Sequence, residues 1–228
     1  MWMRGVIIWR LMLARGPGAG IIDAMGFYGR HVLPRLIDVA MRSRDVMAER
    51  EKLVPRAMGT VLEVGVGSGL NLALYGSGVE RVYGLDPSPE LARMARRRLR
   101  QIRFPVGLIT GSAEAVPFPN GSLDTVVSTW TLCSIAHPAR ALAEIRRVLR
   151  PGGCFIFIEH GCSPDAGVRA WQHRLTPIWR RLAGGCHLDR PIDALVSGNG
   201  FRITEIERGY SRGPRPFTYL YKGLGVRS

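Results

Sequence analysis

Thr60-Val-Leu-Glu-Val-Gly-Val-Gly-Ser-Gly69 decides how the rest of the chain is read. Its first half is a short apolar run broken only by Glu63, the pattern of a strand buried on both faces. Its second half places small residues where a backbone turns tightly and approaches a ligand, at the start of a helix expected over 70–75. Gly65, Gly67 and Gly69 are spaced G-x-G-x-G, whereas a dinucleotide loop reads G-x-G-x-x-G and needs glycine where Leu70 stands. Glu63 precedes the loop on the strand itself, and a carboxylate there suits a cationic ligand end rather than a pyrophosphate. An NAD-dependent oxidoreductase is disfavoured on both counts.

Working outward, strands and helices alternate. Strands are expected over 81–85, 106–109, 123–128 and 154–158, with helices over 89–100 and 138–149. Upstream, 30–56 has helical spacing at Val32, Leu33, Leu36, Val39 and Ala40. Downstream come helices over 168–182 and 191–197, then strands over 201–207 and 217–224. Apolar strands alternating with helices mean an α/β fold, a mostly parallel sheet covered on both faces. Asp86 closes the second strand, 19 residues after Gly67, where an acid can accept hydrogen bonds from both hydroxyls of a ribose. Asp86-Pro-Ser-Pro-Glu90 also opens a helix, but Ser88 can cap it, which frees Asp86 for a ligand. Gly111-Ser-Ala-Glu-Ala115 follows the third strand at the same sheet edge, placed to close over a base.

The 228 residues suit one domain over 25–228, long enough to bury roughly 70% of its unfolded surface. Gly16-Pro-Gly-Ala-Gly20 separates it from an extension over 1–24. In that extension the apolar stretch 2–13 is interrupted by Arg4 and Arg10, so it reads either as an amphipathic interfacial anchor or as a non-native start. The formal charge of +14 invites a nucleic-acid reading, yet only Lys52 and Lys222 are lysines and the arginines are dispersed. Solubility or an anionic membrane surface accounts for the charge better. Cys133, Cys154, Cys162 and Cys186 show neither paired metal-ligand spacing nor a dense framework, so no metal is expected and a reducing cytoplasm is the simplest compartment.

Together the glycine loop, Asp86, the Ser112–Glu114 stretch and Arg147-Val-Leu-Arg-Pro-Gly-Gly153 resemble, in order and spacing, the class I methyltransferases that use S-adenosylmethionine. That resemblance runs from Thr60 to Glu159. It implies a Rossmann-like fold with a seven-stranded sheet whose last strand is inserted antiparallel. It implies that Gly65, Gly67 and Gly69 surround the methionine part of the cofactor, with Glu63 and Thr129 beside it. Asp86 and Pro87 would hold the ribose, and Ser112, Ala113 and Glu114 the adenine. Many members carry aspartate at the position of Ser112, so the adenine contact here would fall to Glu114 or to backbone.

A narrower resemblance rests on Thr129-Trp-Thr-Leu-Cys-Ser134, Glu159-His160, Trp171-Gln172, Pro177-Ile-Trp179 and Gly185-Cys-His-Leu188. These segments look like those of the methyltransferase-like thiol methyltransferases, animal enzymes held on endoplasmic reticulum and lipid droplets by an N-terminal hydrophobic helix. It implies a small-molecule acceptor, with a thiol first among the candidates. A thiol near pKa 8.5 is only a few per cent thiolate at neutral pH, so a base would help. His160, after the fifth strand, is the best placed; His31 and His187 are weaker. Tyr28, Trp130, Cys133, Trp171 and Trp179 are the aromatic and sulfur residues available to line an apolar acceptor pocket; core packing is an equal account of Tyr28, Trp171 and Trp179, and a buried small residue is the better account of Cys133. Ser128-Thr-Trp-Thr131 stands where methyltransferases of base amino groups carry Asn/Asp-Pro-Pro-aromatic, which argues further against nucleic acid. Lipid-amine or quinone methylation at a membrane surface, and a non-catalytic cofactor-binding module, stay open as alternatives.

Overall fold

The computed structural model describes Gly26 and residues 28–227; the expected extension over 1–24 lies outside the described residues. The helical spacing of 30–56 resolves into a π-turn at Tyr28–Val32 and two helices, α1 (Leu33–Met41) and α2 (Arg44–Leu53). The break falls at Ser43, whose backbone is extended. Leu36 and Val39, expected to face the core, are 52% and 69% exposed on α1.

Next come β1 (Gly59–Val64), β2 (Val79–Asp86), α3 (Pro89–Arg98), β3 (Val106–Thr110) and β4 (Leu123–Thr129). They are followed by α4 (Pro138–Val148), β5 (Leu149–His160), α5 (Ala166–Leu182), α6 (Ile192–Gly198), β6 (Phe201–Tyr210) and β7 (Tyr219–Arg227). The helix expected over 70–75 is instead a 3-10 turn, Leu70–Ala73. Gly76 and Gly78 stop the segment before two α-helical turns could form, too short a run to repay helix nucleation. β5 begins five residues earlier than expected, because Leu149 already pairs with Leu123 ahead of an irregularity in the ladder.

The seven strands lie in the order β3-β2-β1-β4-β5-β7-β6. β1 to β5 pair in parallel, while β7 is antiparallel to both β5 and β6, the inserted strand expected from the resemblance. Val64 sits level with Leu85 on one side and Ser128 on the other. The strand order therefore reverses at β1, and its end opens into a crevice at the carboxyl edge.

Alternate residues along each strand serve opposite faces. Leu62, Val64, Leu85, Val126, Phe155 and Phe157 pack with Leu142 and Ile145 of α4 and with Ile192 and Val196 of α6. Burying one such aliphatic side chain contributes about 1.5–3 kcal/mol. Val61, Val82, Val127 and Ile156 face the other way, onto Val54, Leu72 and Tyr75. α5 joins neither layer. Its Leu175 and Trp179 pack with Phe217 on a third, small cluster of Cys133, Cys186 and Leu188, beyond the ends of β4 and β5.

Candidate active site at the carboxyl edge

Three loops meet at the crevice. The first, Gly65–Gly69, is held to its neighbour by the Gly65 and Val66 N–H groups, which both donate to Leu85 O at 2.7 and 3.2 Å. All three glycines have positive φ, at 69°, 54° and 82°. A Cβ on Gly65 would fall 2.1 Å from Thr131 Oγ1, so the loop presses directly on the turn after β4. A Cβ on Gly67 would come no nearer than 3.8 Å to any neighbour, the Gly65 carbonyl. Gly67 thus faces open space.

Asp86 joins the first loop to the second. Its Oδ2 accepts from Gly67 N at 2.9 Å and its Oδ1 from Ser88 N at 2.8 Å. Burial raises this carboxyl above the usual aspartate range, and the Ser88 and Gly67 N–H groups hold the rise down. Ser88 Oγ accepts from Leu91 N at 3.3 Å and so caps α3, as expected, while Pro87 lies exposed on the rim. In the third loop Ser112 Oγ accepts from Glu114 N at 3.1 Å and Ala113 is buried. Glu114 Oε1 accepts from His137 N at 3.1 Å, which fixes the loop before α4.

Glu63 lies behind the loop rather than on its surface, only 1% exposed. Its oxygens accept from Asn71 Nδ2 and Tyr75 OH, both at 2.9 Å. Burial pushes this carboxyl up to about 7, against the pull of Tyr75, Arg50 and Asn71. Arg50 of α2 closes the network by donating to Asn71 Oδ1 at 2.6 Å and Thr129 Oγ1 at 2.7 Å. The Thr129 hydroxyl also accepts from Asn71 Nδ2 at 3.1 Å, so it belongs to this buried network. The Arg50 Nε–H is buried with no hydrogen-bond partner. Such an orphan donor is costly unless a ligand acceptor completes it.

On the other side of the crevice, Trp130 follows β4 with φ 50°, a left-handed conformation rare for an aromatic residue. Its N–H is held by Ile158 O at 2.7 Å, the Arg50 guanidinium lies 4.8 Å over its ring, and His160 meets it edge-on at 6.5 Å. Glu159 is fully buried and organises this turn. It accepts from Ser128 Oγ at 2.7 Å, Thr131 N at 3.2 Å and Cys133 N at 3.1 Å. Arg190 adds a bond to Leu132 O at 2.6 Å. Cys133 Sγ lies 3.7 Å from Cys186 Sγ, which lies 3.7 Å from His160 Nδ1.

The expected site residues thus separate. Gly65, Gly67, Gly69, Asp86 and the Ser112–Glu114 stretch form one wall, and Trp130, Cys133 and His160 the other. Trp179 stands just behind, its ring 4.7 Å from Phe217. Trp171 is 55% exposed beneath Arg174, since eight residues of helix leave it about 80° round from Trp179. Tyr28 is spent on a hydrogen bond to Leu182 O at 3.1 Å. His187 faces Asp189 at 3.8 Å. The sequence reading missed Arg50, Asn71 and Tyr75, and quoted Glu159 and Cys186 without giving them a role. An open depression of about 510 Å³ beside Arg146, Asn199 and Arg227 lies at the opposite edge of the sheet and does not adjoin this site.

Residues 62–157 match the family model described as a methyltransferase domain. A thiol S-methyltransferase of Rattus norvegicus is 31% identical over 168 residues, covering 72% of this chain and 67% of the relative. A phosphatidylethanolamine N-methyltransferase of Cereibacter sphaeroides is 32% identical over 149 residues, 64% of this chain and 72% of the relative. The chain spans about two thirds of the length of the thiol S-methyltransferases it matches. In fold it is similar to an S-adenosylmethionine-dependent methyltransferase of Thermotoga maritima, with TM-score 0.63 and 20% identity, covering 87% of this chain and 99% of that one. With the glycine loop, the acid ending β2 and the inserted antiparallel strand all in place, the chain belongs to the class I methyltransferases that take S-adenosylmethionine as cofactor.

Proposed function

We propose that the chain transfers the cofactor's methyl group to a small thiol. The observation that carries this reading is the makeup of the wall opposite the glycine loop. Trp130, His160, Cys133 and Cys186 give it an aromatic and sulfur face, and its buried carboxylate, Glu159, is committed to three donors of its own turn. A cationic amine acceptor would ask for an uncommitted carboxylate there. The likeness to a thiol S-methyltransferase supports the same choice. Lipid-amine methylation is the second reading, favoured by the likeness to a phosphatidylethanolamine N-methyltransferase.

The residues present fit the cofactor. Open space over Gly67 admits it, Asp86 retains lone pairs for ribose hydroxyls, and the orphaned Arg50 Nε–H suits a carboxylate end. When bound, S-adenosylmethionine supplies a methyl group on a positively charged sulfur. This chain's part is to align the acceptor with it, and positioning of that kind is worth about 7–11 kcal/mol of a barrier. His160 is the protein group placed to ease loss of the thiol proton. His160→Ala is expected to lower turnover about a hundredfold while leaving S-adenosylhomocysteine affinity near the original. Equal loss of both would remove His160 from the acceptor side. A methyl-labelled screen over alkyl thiols, phospholipid amines, quinones and RNA tests the acceptor class. Labelled thioether is the expected product, and labelled phospholipid alone would overturn the thiol reading.

Glu63 gives the cofactor step a pH dependence. The groups facing it are Tyr75, Asn71, Arg50 and, further off, Asp86. Because burial raises this acid, the free protein loses stability as pH climbs from the usual glutamate range to about 7. A cationic ammonium on the ligand favours the ionised form, so binding releases a proton below that pH. Affinity for S-adenosylhomocysteine is expected to be up to about tenfold weaker near pH 6 than near pH 8. Calorimetry in buffers of different ionisation heat would show the proton release; a flat profile would detach Glu63 from the ligand.

A cytoplasmic location belongs to the same proposal, supported by four free cysteines. Among the described residues no helix is long and apolar enough to cross a membrane. Peripheral membrane contact is supported by the likeness to a phosphatidylethanolamine N-methyltransferase and by the basic charge.

A further inference from the structure

Cys133, His160 and Cys186 are far apart in sequence and come from three different elements, yet their ligand atoms all lie within 4.8 Å of one another. Cys133 sits on the turn after β4, His160 ends β5, and Cys186 lies in the loop after α5. Backbone bonds pin the sulfurs in place: Cys133 N donates to Glu159 Oε2 at 3.1 Å, and His187 N donates to Cys133 O at 2.9 Å. Gly185, at φ 90°, brings its loop against the Ser134 carbonyl, where a Cβ would stand 3.0 Å away. Both cysteines are free thiols and both are buried.

The spacing decides what such a group suits. Two thiolates on a tetrahedral zinc, each at about 2.3 Å, lie about 3.7–3.8 Å apart, and a thiolate and an imidazole nitrogen about 3.6 Å. The Cys133–Cys186 and Cys186–His160 separations are both 3.7 Å. A disulfide would need the sulfurs at about 2.05 Å. Two sulfurs and one imidazole select a soft or borderline cation and exclude magnesium or calcium. Among the described residues no further histidine, cysteine or carboxylate joins the group, so it offers three protein ligands. Three ligands with the fourth position free is the catalytic rather than the structural pattern for zinc. Trp179 Nε1, buried without a hydrogen-bond partner, belongs to the packing around these sulfurs and can donate to a thiolate.

We propose that Cys133, Cys186 and His160 Nδ1 hold one zinc ion, whose fourth position takes the acceptor thiol. The assignment rests on the thiol reading of the acceptor and changes the part of His160 from base to ligand. The incoming thiol displaces zinc-bound water, binds as thiolate, and its proton leaves to solvent. That sulfur forms the new bond to the methyl carbon as the cofactor's carbon–sulfur bond breaks. The electron pair of the broken bond remains on the cofactor's sulfur, giving S-adenosylhomocysteine and a thioether. The thioether is a poorer ligand than a thiolate, so water replaces it.

Metal analysis of the full chain, purified without chelator and supplied with zinc, is expected to give one zinc per chain. Cobalt substitution is expected to give a thiolate-to-cobalt absorption band. Cys133→Ser, Cys186→Ser and His160→Ala should each weaken zinc at least tenfold, whereas Cys154→Ser should leave it unchanged. S-adenosylhomocysteine binding, retained in each variant, shows that the fold survives. Zinc absent from the wild-type chain, bound equally by the three variants, or replaced by a Cys133–Cys186 disulfide would overturn the site. Full thiol methylation by a zinc-free chain would overturn it too and leave the thiol reading standing. One zinc lost selectively in the variants, with no thiol methylated, would uphold the metal site and remove the thiol reading and the fourth-ligand role.

Discussion

Gly67→Arg is expected to abolish binding of S-adenosylhomocysteine, by more than a thousandfold, while the protein still folds. The contrast between two glycines of one loop makes this a test of the site rather than of the fold. At Gly67 the nearest atom to an added Cβ is 3.8 Å away, so a long side chain enters open space without striking protein. The cost to folding is the left-handed backbone, about 1–2 kcal/mol for a residue with a Cβ. In a domain of this size that is a fall in Tm of about 2–8 °C. The loss of binding corresponds to more than about 4 kcal/mol, because the arginine fills the open space over Gly67 that the proposed cofactor position needs. At Gly65 the order reverses. There a Cβ would overlap Thr131 Oγ1 at 2.1 Å, so Gly65→Ala should cost stability first and binding in consequence. Calorimetric titration and thermal melts of the two variants separate the effects. Undiminished binding in Gly67→Arg would move the cofactor away from this loop.

What could be read from the sequence follows from how local each signal is. The apolar run before Gly65 and the Ser88 cap are written within a few residues, and the sheet follows from the alternation of strands and helices. The loop after β1 was less legible. Its 3-10 turn is shaped by Asn71 and Tyr75 reaching back to Glu63, a tertiary demand that periodicity does not register. Arg50 was invisible among so many arginines, although its burial, its bonds to Asn71 and Thr129 and its stacking over Trp130 place it at the centre of the crevice. The trio of Cys133, His160 and Cys186 leaves no spacing pattern, because three separate strand and helix ends bring it together. One residue did carry a local signal that went unused. A charged side chain at the end of the apolar run Phe155-Ile-Phe-Ile158 has to be neutralised inside the protein, and that residue is Glu159.

Glu159→Ala is expected to lower unfolding free energy by about 3–5 kcal/mol and to suppress methylation well below the melting temperature. The carboxylate accepts one hydroxyl and two backbone N–H groups, all removed from water, so its loss strands the Ser128, Thr131 and Cys133 donors together. It also leaves the positive charges of Arg50 and Arg190 without the counter-charge between them. The turn it releases bears Trp130, held in a left-handed conformation, and Cys133; freed, that turn relaxes toward ordinary backbone angles. Glu159→Gln divides the effect. Its amide oxygen can still accept from Ser128 and Thr131, but its NH2 then confronts the Cys133 N–H, donor against donor. Stability should recover by about half, and turnover by less, because the Cys133 end of the wall stays loose. The half of the crevice proposed for the cofactor is anchored through Asp86, Gly67 and Asn71, so S-adenosylhomocysteine affinity should change little in the glutamine variant. Denaturant titration paired with binding and turnover decides it: stability of the alanine variant within error of wild type would show that the turn after β4 is held by something other than Glu159.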